Sequence, residues 1–393
     1  MLQFLDDEEY MRLALKMAEQ CQGQTGINPA VGCVLVKDGR IVGLGAHLER
    51  GGPHAEINAL NMAGEKAAGS TVYVTLEPCS HFGKTPPCGE RLIREKVKRV
   101  VIARLDPNPL VSGKGIALLQ KAGVEVKTGV LEQEAKYLNE AFEKYIRTKK
   151  PFVTLKTAST LDGKIASSTG DSKWISGEQA REYVHVLRHK HQAVMVGINT
   201  VIADNPRLST RLTVPGLQPI RIVVDSALKI PETAAVICER IARTIIVTTS
   251  LAPAEKMERL KAMGAEFVVC GAGPHVDLPL AMERLGEMEI GSILLEGGGK
   301  LNGSMLAQGL VDKMVLFFAP KLIGGAQSPP NFVFPGFARM DEAIRLKNMR
   351  VETIGEDICI TGYPALPGER RNKRDERQVR DERREAADVY RNN

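Results

Sequence analysis

The chain sets His54-Ala55-Glu56, Glu77-Pro78-Cys79 and Cys88 close together in sequence, and with them one imidazole, two thiols and a carboxylate. Replacing an amino group on an aromatic heterocycle by oxygen needs a hydroxide-like nucleophile at neutral pH, which bulk water, with a pKa of about 15.7, does not supply. A zinc ion held by a few protein ligands with one position open lowers the pKa of its water to roughly 7. His54, Cys79 and Cys88 are the ligand set that such chemistry asks for. Glu56, two residues past the histidine, can approach the water without binding the metal. It would carry a proton from water to a ring nitrogen and finally to the departing amine.

A His-x-Glu triplet alone arises often by chance, so the second half of the motif carries the weight. Thr71-Val72-Tyr73-Val74-Thr75-Leu76 reads as a β-strand, and Pro78 ends it and opens a loop just before Cys79. After Cys88 the run Gly89-Glu90-Arg91-Leu92-Ile93 reads as a helix start. Nucleobase deaminases place two residues between their cysteines; here eight intervene, Ser80 to Pro87. The inserted loop would bring Lys84 and His81 to the pocket mouth. Lys84 is expected to meet a substrate phosphate; His81 is either a further contact or a solvated residue.

With Asn28-Pro29-Ala30-Val31-Gly32-Cys33 upstream and Glu-Pro-Cys-Ser-His-Phe-Gly-Lys-Thr-Pro-Pro-Cys across the long loop, this half resembles the deaminase half of the bifunctional riboflavin-biosynthesis deaminase/reductase family. The long cysteine spacing is that family's own pattern. The resemblance implies a cytidine-deaminase-like three-layer α/β/α fold, substrate contacts from Asn28, His47 and Lys84, a zinc site of His54, Cys79 and Cys88, and Glu56 as the catalytic acid/base.

The elements that must position these groups alternate. Asp6 or Asp7 caps a helix running to about Cys21. Strands Val31 to Val36 and Arg40 to Ala46 follow around the turn at Lys37-Asp38-Gly39, then a helix from near His54, the strand at Thr71, a helix after Cys88, the strand Arg99 to Ala103 and a helix from Gly115 to Ala122. That pattern is a sheet with helices on both faces. A helix from about Leu131 ends in Arg147-Thr148-Lys149-Lys150 before Pro151, a linker between two domains. At 393 residues the chain exceeds the size at which one core stops growing.

The second half starts again with short buried strands at Phe152 to Ala158, Ala193 to Val196, Ile220 to Asp225, Thr244 to Thr248, Phe267 to Cys270 and Ser292 to Glu296, most of them separated by helices. A second α/β domain with a mostly parallel sheet follows. Glu296-Gly297-Gly298-Gly299 ends an apolar strand and leads into a helix at Leu301 to Gln308, where backbone amides can approach a phosphate. It is not the Gly-x-Gly-x-x-Gly of a dinucleotide-binding unit. Lys156-Thr157-Ala158-Ser159-Thr160-Leu161-Asp162-Gly163-Lys164, Trp174-Ile175-Ser176, Gly197 to Pro206 and Glu296-Gly297-Gly298 resemble, in order, the reductase half of the same family. That resemblance implies a dihydrofolate-reductase-like α/β fold using NADPH. It places Ala158, Trp174, Thr200, Asp204, Ser226 and Gly298 along the cofactor, and Ser172, Arg188, Leu208, Arg211 and Glu296 around the substrate. Arg188 and Arg211 suit a phosphate because a guanidinium fork matches its oxygens. Trp174, the only tryptophan, is read either as a cofactor contact or as a core anchor, and Lys156 either as facing the sugar or as snorkelling from a strand edge. No side chain stands out as the proton donor of the reduction.

Taken whole, the resemblance covers residues 1 to about 365. It assigns domains to 1–148 (deaminase) and 149–365 (reductase), leaving 366–393 as a charged tail, solvated or locally helical. It implies hydrolytic deamination of diaminohydroxyphosphoribosylaminopyrimidine, then NADPH-dependent reduction of the ribosyl group of 5-amino-6-(5-phosphoribosylamino)uracil.

Composition agrees with a globular enzyme: 43% of residues are apolar and 25% charged, and no run approaches the roughly 20 apolar residues of a membrane span. The N-terminus is acidic, unlike a secretory signal. Seven cysteines leave five beyond the zinc ligands, several in strand-like segments, as expected of unpaired thiols in a reducing cytoplasm. Of the net charge of +6, the tail from Glu369 carries +2, from nine basic and seven acidic residues. Neither figure argues for nucleic acid. A tRNA base deaminase with an unrelated appended domain would need a basic, aromatic-lined approach, and aromatics are only 5%. A binding protein with a relic site would lack Glu56 or a ligand, and all four are present. The expected partner is a phosphorylated pyrimidine, in a cytoplasmic homo-oligomer that binds neither nucleic acid nor membrane.

Overall fold

The computed structural model describes residues 6–80, 87–108 and 111–365. The Lys84 and His81 expectations, and those for the tail, lie outside the described residues. The first domain runs α1 (Asp7–Glu19), β1 (Gly32–Lys37), β2 (Arg40–Ala46), α2 (Ala55–Ala63), β3 (Thr71–Val74), α3 (Cys88–Arg94), β4 (Arg99–Ile102), α4 (Lys114–Lys121), β5 (Glu125–Thr128), α5 (Glu132–Leu138) and α6 (Glu140–Thr148). Its five strands lie in the order β2-β1-β3-β4-β5, with β1 antiparallel to both neighbours and β3, β4 and β5 parallel.

Period-two alternation along the strands builds the three layers. Cys33, Leu35, Val72, Val74, Val100 and Ile102 pack on one face against Ala55, Ala59 and Leu60 of α2, Leu92 of α3 and Leu119 of α4. The residues between them, Val34, Val36, Tyr73 and Val101, pack on the other face against Tyr10, Met11, Ala14 and Leu15 of α1. Asp6 caps α1 by accepting from the Glu8 and Glu9 amides, both at 3.0 Å. Helix α2 sits down on β2 because two of that strand's residues are glycines. A Cβ at Gly43 would lie 2.3 Å from the Ala59 carbonyl oxygen, and one at Gly45 2.2 Å from that of Ala55.

Two expectations need correction here. The single helix expected from Leu131 is two, α5 and α6, broken at Asn139, whose side chain bonds both the Ala30 N–H (2.8 Å) and the Ala30 carbonyl (2.9 Å). A tertiary bond to a distant backbone outweighs helix continuity there. The strand β5 escaped sequence reading because its pattern, Glu-Val-Lys-Thr, is mostly exposed at a sheet edge.

The second domain runs β6 (Phe152–Thr160), α7 (Glu178–Lys190), β7 (Ala193–Gly197), α8 (Ile198–Asp204), β8 (Ile220–Val224), α9 (Ala235–Cys238), β9 (Thr244–Thr248), α10 (Ala254–Ala262), β10 (Ala265–Val269), α11 (Leu278–Glu287), β11 (Ser292–Leu295), α12 (Gly299–Ala307), β12 (Lys313–Ala319), β13 (Arg345–Ile354) and β14 (Asp357–Ala365). The strands form one sheet in the order β10-β9-β8-β7-β11-β6-β12-β14-β13. The seven from β10 to β12 are parallel; β14 and β13 add an antiparallel hairpin at one edge. That hairpin and β12 were not expected. Ile293, Leu295, Met195 and Ile222 pack on one face with α11 and α12, while Val194, Val223 and Leu294 pack on the other with Val201, Val236 and Leu260.

The domains meet along α6. Lys144 pairs with Asp312 at 2.6 Å, Glu140 accepts from Lys313 and from the Tyr363 hydroxyl, both at 2.6 Å, and the Tyr145 hydroxyl donates to the Gly286 carbonyl at 3.1 Å. Gly286 has no room for a side chain, since a Cβ there would lie 1.9 Å from the Lys149 carbonyl oxygen. Gly286→Ala should therefore force α11 and the linker apart and lower stability by about 1–3 kcal/mol. Gly273→Ala, where nothing lies within 4 Å, should change little; parallel denaturant titrations would distinguish the two.

Candidate functional site

The three expected ligands converge. His54 precedes the first turn of α2, with an extended backbone (φ −71°, ψ 162°) that turns its ring toward the loop after β3. Its Nδ1 lies 3.2 Å from Cys88 Sγ and 3.6 Å from Cys79 Sγ. Cys88 opens α3, and its N–H donates to Cys79 Sγ at 3.3 Å. A tetrahedral zinc with Zn–S about 2.3 Å and Zn–N about 2.05 Å sets its nitrogen and sulfur ligands about 3.6 Å apart. The residues thus fit zinc without rearrangement. Hydrogen bonding with Cys88, and then with His54, outweighs the opposing effect of burial and holds the Cys79 thiol well below its ordinary range, in the thiolate form a metal takes.

Glu56 lies in the first turn of α2 and is buried, 3% exposed. Burial, and then the neighbouring Cys79 charge, push its carboxyl up to about 7. A carboxyl poised there can both take and give a proton near neutrality. It opens on a cavity of about 370 Å³ whose walls include Asn28, His47, Arg50, Asp106 and Asn108. The buried His47 donates from Nδ1 to the Pro53 carbonyl (3.2 Å), so its Nε2 is free to accept from Asn28 Nδ2 (3.3 Å). Burial lowers the His47 pKa, which keeps this neutral tautomer. Its ring meets that of His54 edge-on, with centroids 5.4 Å apart.

The motif's first residue, Glu77, has a role that spacing did not reveal. It is 3% exposed and accepts from the Gly115, Gly113, Asp106 and Ile116 amides at 2.9, 3.0, 3.2 and 3.4 Å. One buried carboxylate thus folds the loop after β4 over the cavity and sets Asp106 and Asn108 in its wall. The Glu-Pro-Cys triplet was the signal for it. Arg50 had none.

In the second domain the expected residues gather at the carboxyl ends of the parallel strands, where α/β sheets hold ligands. Glu296 follows β11 and takes a bidentate bond from Arg188 of α7, at 2.6 and 2.9 Å. Arg188 also donates to the Ser209 carbonyl at 2.9 Å, and Arg211 donates to Ser209 Oγ at 2.9 Å. The Arg211 N–H donates to His185 Nδ1 at 3.2 Å, stitching its loop to α7. Leu208, between β7 and β8, is buried with φ +51°. Gly298 caps α12 without any side-chain hydrogen bond, and a Cβ on it would sit 3.5 Å from Thr200 Oγ1 of α8. Both helices start at glycines, Gly197 and Gly298, with no side-chain cap, the kind of helix start that can face an anion.

Ala158 lies near the end of β6, Asp204 closes α8 and is exposed, and Ser172 is half-buried in the loop after β6. Ser226, just after β8, accepts at Oγ from the Val276 N–H (3.0 Å), so its hydroxyl also ties two loops together. Trp174 is 64% exposed under the Arg181 guanidinium, 4.6 Å from its ring centroid, which removes the core-anchor reading. Lys156 is not a solvated snorkel: its ammonium feels Glu296 and Arg188, sits 5.8 Å from the Phe317 ring, and is pushed below its ordinary pKa by burial.

Residues 151–360 match the model of the RibD C-terminal domain, and residues 5–104 that of the cytidine and deoxycytidylate deaminase zinc-binding region. The chain is 46% identical to the riboflavin biosynthesis protein RibD of Aquifex aeolicus over 90% of its own length and 97% of that protein. It is 40% identical to RibD of Escherichia coli over 91% and 99%. Among solved structures, Acinetobacter baumannii RibD superposes with a TM-score of 0.82 at 38% identity over 92% of this chain and 99% of that one. A Thermotoga maritima diaminohydroxyphosphoribosylaminopyrimidine deaminase/5-amino-6-(5-phosphoribosylamino)uracil reductase superposes at 0.80 with 37% identity, over 91% and 99%.

Glu77→Gln would turn an amide NH2 toward backbone N–H groups and leave buried donors unmet. The expected cost is about 1–3 kcal/mol, with faster hydrogen exchange at the Gly113 and Gly115 amides. Unchanged exchange at both would show that the loop holds itself.

Proposed function

The chain belongs to the RibD family of bifunctional deaminase/reductases of riboflavin biosynthesis, and on that premise we propose how its own residues divide the two reactions. Zinc and NADPH are the cofactors. We assign the deamination to residues 1–148, the reduction to 149–365, and no catalytic part to 366–393.

The observation that carries the deaminase assignment is the convergence of His54, Cys79 and Cys88, with His54, Cys79 and the buried Glu56 lining one cavity. When bound, zinc supplies the acidity that makes water a nucleophile at neutral pH. Asn28 and His47 orient the pyrimidine. Glu56 would take one water proton to a ring nitrogen and then carry the second, from the added hydroxyl, to the leaving amine, so that ammonia departs and a carbonyl oxygen replaces it. Lys84 is assigned to the phosphate by its place in the motif.

For the reduction, Arg188, Arg211, Ser172, Leu208 and Glu296 hold the deaminated substrate, while Ala158, Trp174, Thr200, Asp204, Ser226 and Gly298 line NADPH. When bound, NADPH supplies the hydride that converts the ribosyl group to ribityl. The opening sugar oxygen needs a proton. Lys156, its ammonium destabilised by burial and placed among Glu296 and Arg188, is the group we assign to give it.

The partner is a phosphorylated pyrimidine. A nucleic-acid substrate is not favoured: among the described residues the cavity wall offers Arg50 alone as a lysine or arginine, and Phe142 as its single Phe, Tyr or Trp ring. No helix among the described residues is long and apolar enough to cross a membrane. We place the enzyme in the cytoplasm on its five further free cysteines, four of them buried. The outer strand β13 exposes Met349 and Val351, with Met340 nearby, and leaves one edge of its sheet unpaired. The same strand exposes Arg345, Lys347, Arg350 and Glu352. An unpaired edge of mixed polarity can still add a second copy, and light scattering on the purified chain should give at least twice 42.9 kDa; a monomer at micromolar concentration would refute it.

A coupled assay of ammonia release and NADPH consumption tests the division of labour. Glu56→Gln should retain zinc, lose ammonia release by about two orders of magnitude or more, and still reduce the deaminated substrate. Lys156→Met should do the reverse, lowering NADPH oxidation about 100-fold or more with deamination intact. Ammonia release surviving in the first variant would remove Glu56 from the proton path.

A further inference from the structure

The residues that line the zinc-site cavity all belong to the first domain, but one of them is held from the second. Arg50, on the loop between β2 and α2, lines its mouth beside Gly51 and Gly52. Its guanidinium is held from across the domain boundary, Nη1 and Nη2 donating to the two carboxylate oxygens of Glu289 at 2.6 and 2.7 Å.

Glu289 occupies a position that its side chain alone justifies. It follows α11, where the Glu289 N–H donates to the Gly286 carbonyl at 2.9 Å and the Ile290 N–H to that of Leu285 at 3.1 Å, closing the helix. Its φ is +61°, in the left-handed region that glycine enters without strain. Its main chain is fixed as well. Gln192 Nε2 donates to the Glu289 carbonyl at 3.3 Å, and the Gly291 N–H donates to Gln192 Oε1 at 2.6 Å. A rigid corner of the second domain thus aims a carboxylate at a flexible arginine of the first. With side chains 45% and 49% exposed, the pair adds little to stability. What it does is restrict a rotamer-rich side chain to one direction. Two of the five guanidinium N–H donors are used, and the others remain for an anion.

We propose that Glu289 is a positioning residue for the deamination: it holds Arg50 at the cavity mouth, where Arg50 receives the phosphate of the pyrimidine substrate. The proposal rests on the deaminase reading above. It makes substrate binding in one domain depend on a residue of the other, which offers a reason for the two domains to be fused and tightly packed.

Glu289→Gly is the informative variant, because glycine relaxes the backbone at this position. If Glu289 served only the fold, its loss would lower the melting temperature and leave the KM of the deamination unchanged. We expect the full-length zinc enzyme carrying Glu289→Gly to keep its melting temperature and its kcat for ammonia release within about twofold. Its KM for the phosphorylated pyrimidine should rise about three- to tenfold, with NADPH oxidation on the deaminated substrate unchanged. Arg50→Ala should raise the same KM, and adding Glu289→Gly to it should raise it no further. A KM that stays level or falls in Glu289→Gly, or a further rise in the Arg50→Ala background, overturns the proposal. Absence of zinc-dependent ammonia release from the unmutated chain would instead sink the deaminase reading on which it rests.

Discussion

Everything in the first domain depends on bringing one imidazole and two thiols, from residues 54, 79 and 88, to within a few ångströms of each other. They start on three separate elements, so a helix start, a strand end and a second helix start must all aim at one point. The sheet supplies the fixed frame. Gly43 and Gly45 let α2 touch β2 at backbone distance, which sets the height of His54 and Glu56 above the sheet. The Cys88 N–H donating to Cys79 Sγ fixes the second helix start on the strand end. Glu77, just ahead of Cys79, then uses its buried carboxylate to close the remaining wall. Ligand placement and pocket formation are thus parts of one hydrogen-bonded corner.

The second domain solves a different problem. Its described residues hold no metal-binding cluster, and its charged groups are held by each other: Arg188 and Glu296 form a nearly buried bidentate pair, with Lys156 beside it. Such a pair is costly to desolvate. Its value lies in orientation, since a guanidinium clamped by a carboxylate and by the Ser209 carbonyl can turn in few other directions. Seven parallel strands put their carboxyl ends on one side of the sheet, so residues far apart in sequence, such as Ala158 near the end of β6 and Glu296 after β11, lie on the same side.

Between them, α6 joins the two halves firmly. Glu140, Lys144 and Tyr145 project from one short helix onto Lys313, Tyr363, Asp312 and Gly286, while Phe142 and Ile146 of the same helix line the zinc-site cavity. The helix read from sequence just ahead of the linker is therefore part of the cavity wall. A lysine-rich end before Pro151 looks the same in sequence whether it dangles or docks, because docking is decided by residues more than a hundred positions away.

The convergence of His54, Cys79 and Cys88, the alternation of strands and helices and the two-domain fold were legible in the residue order, because a metal-binding set needs particular atoms and a buried strand demands period-two apolarity. The break at Asn139 was not, since it comes from a bond to Ala30. The edge strands β5 and β13 were not, because sheet edges face water and lose the apolar pattern, and neither were β12 and β14, which lie inside the sheet. The exposure of Trp174, the clamp at Glu77 and the cross-domain hold on Arg50 were decided by tertiary structure alone. Sequence determines which atoms are available and how each segment wants to fold; which of them face one another across a hundred or more residues is set only when the layers pack.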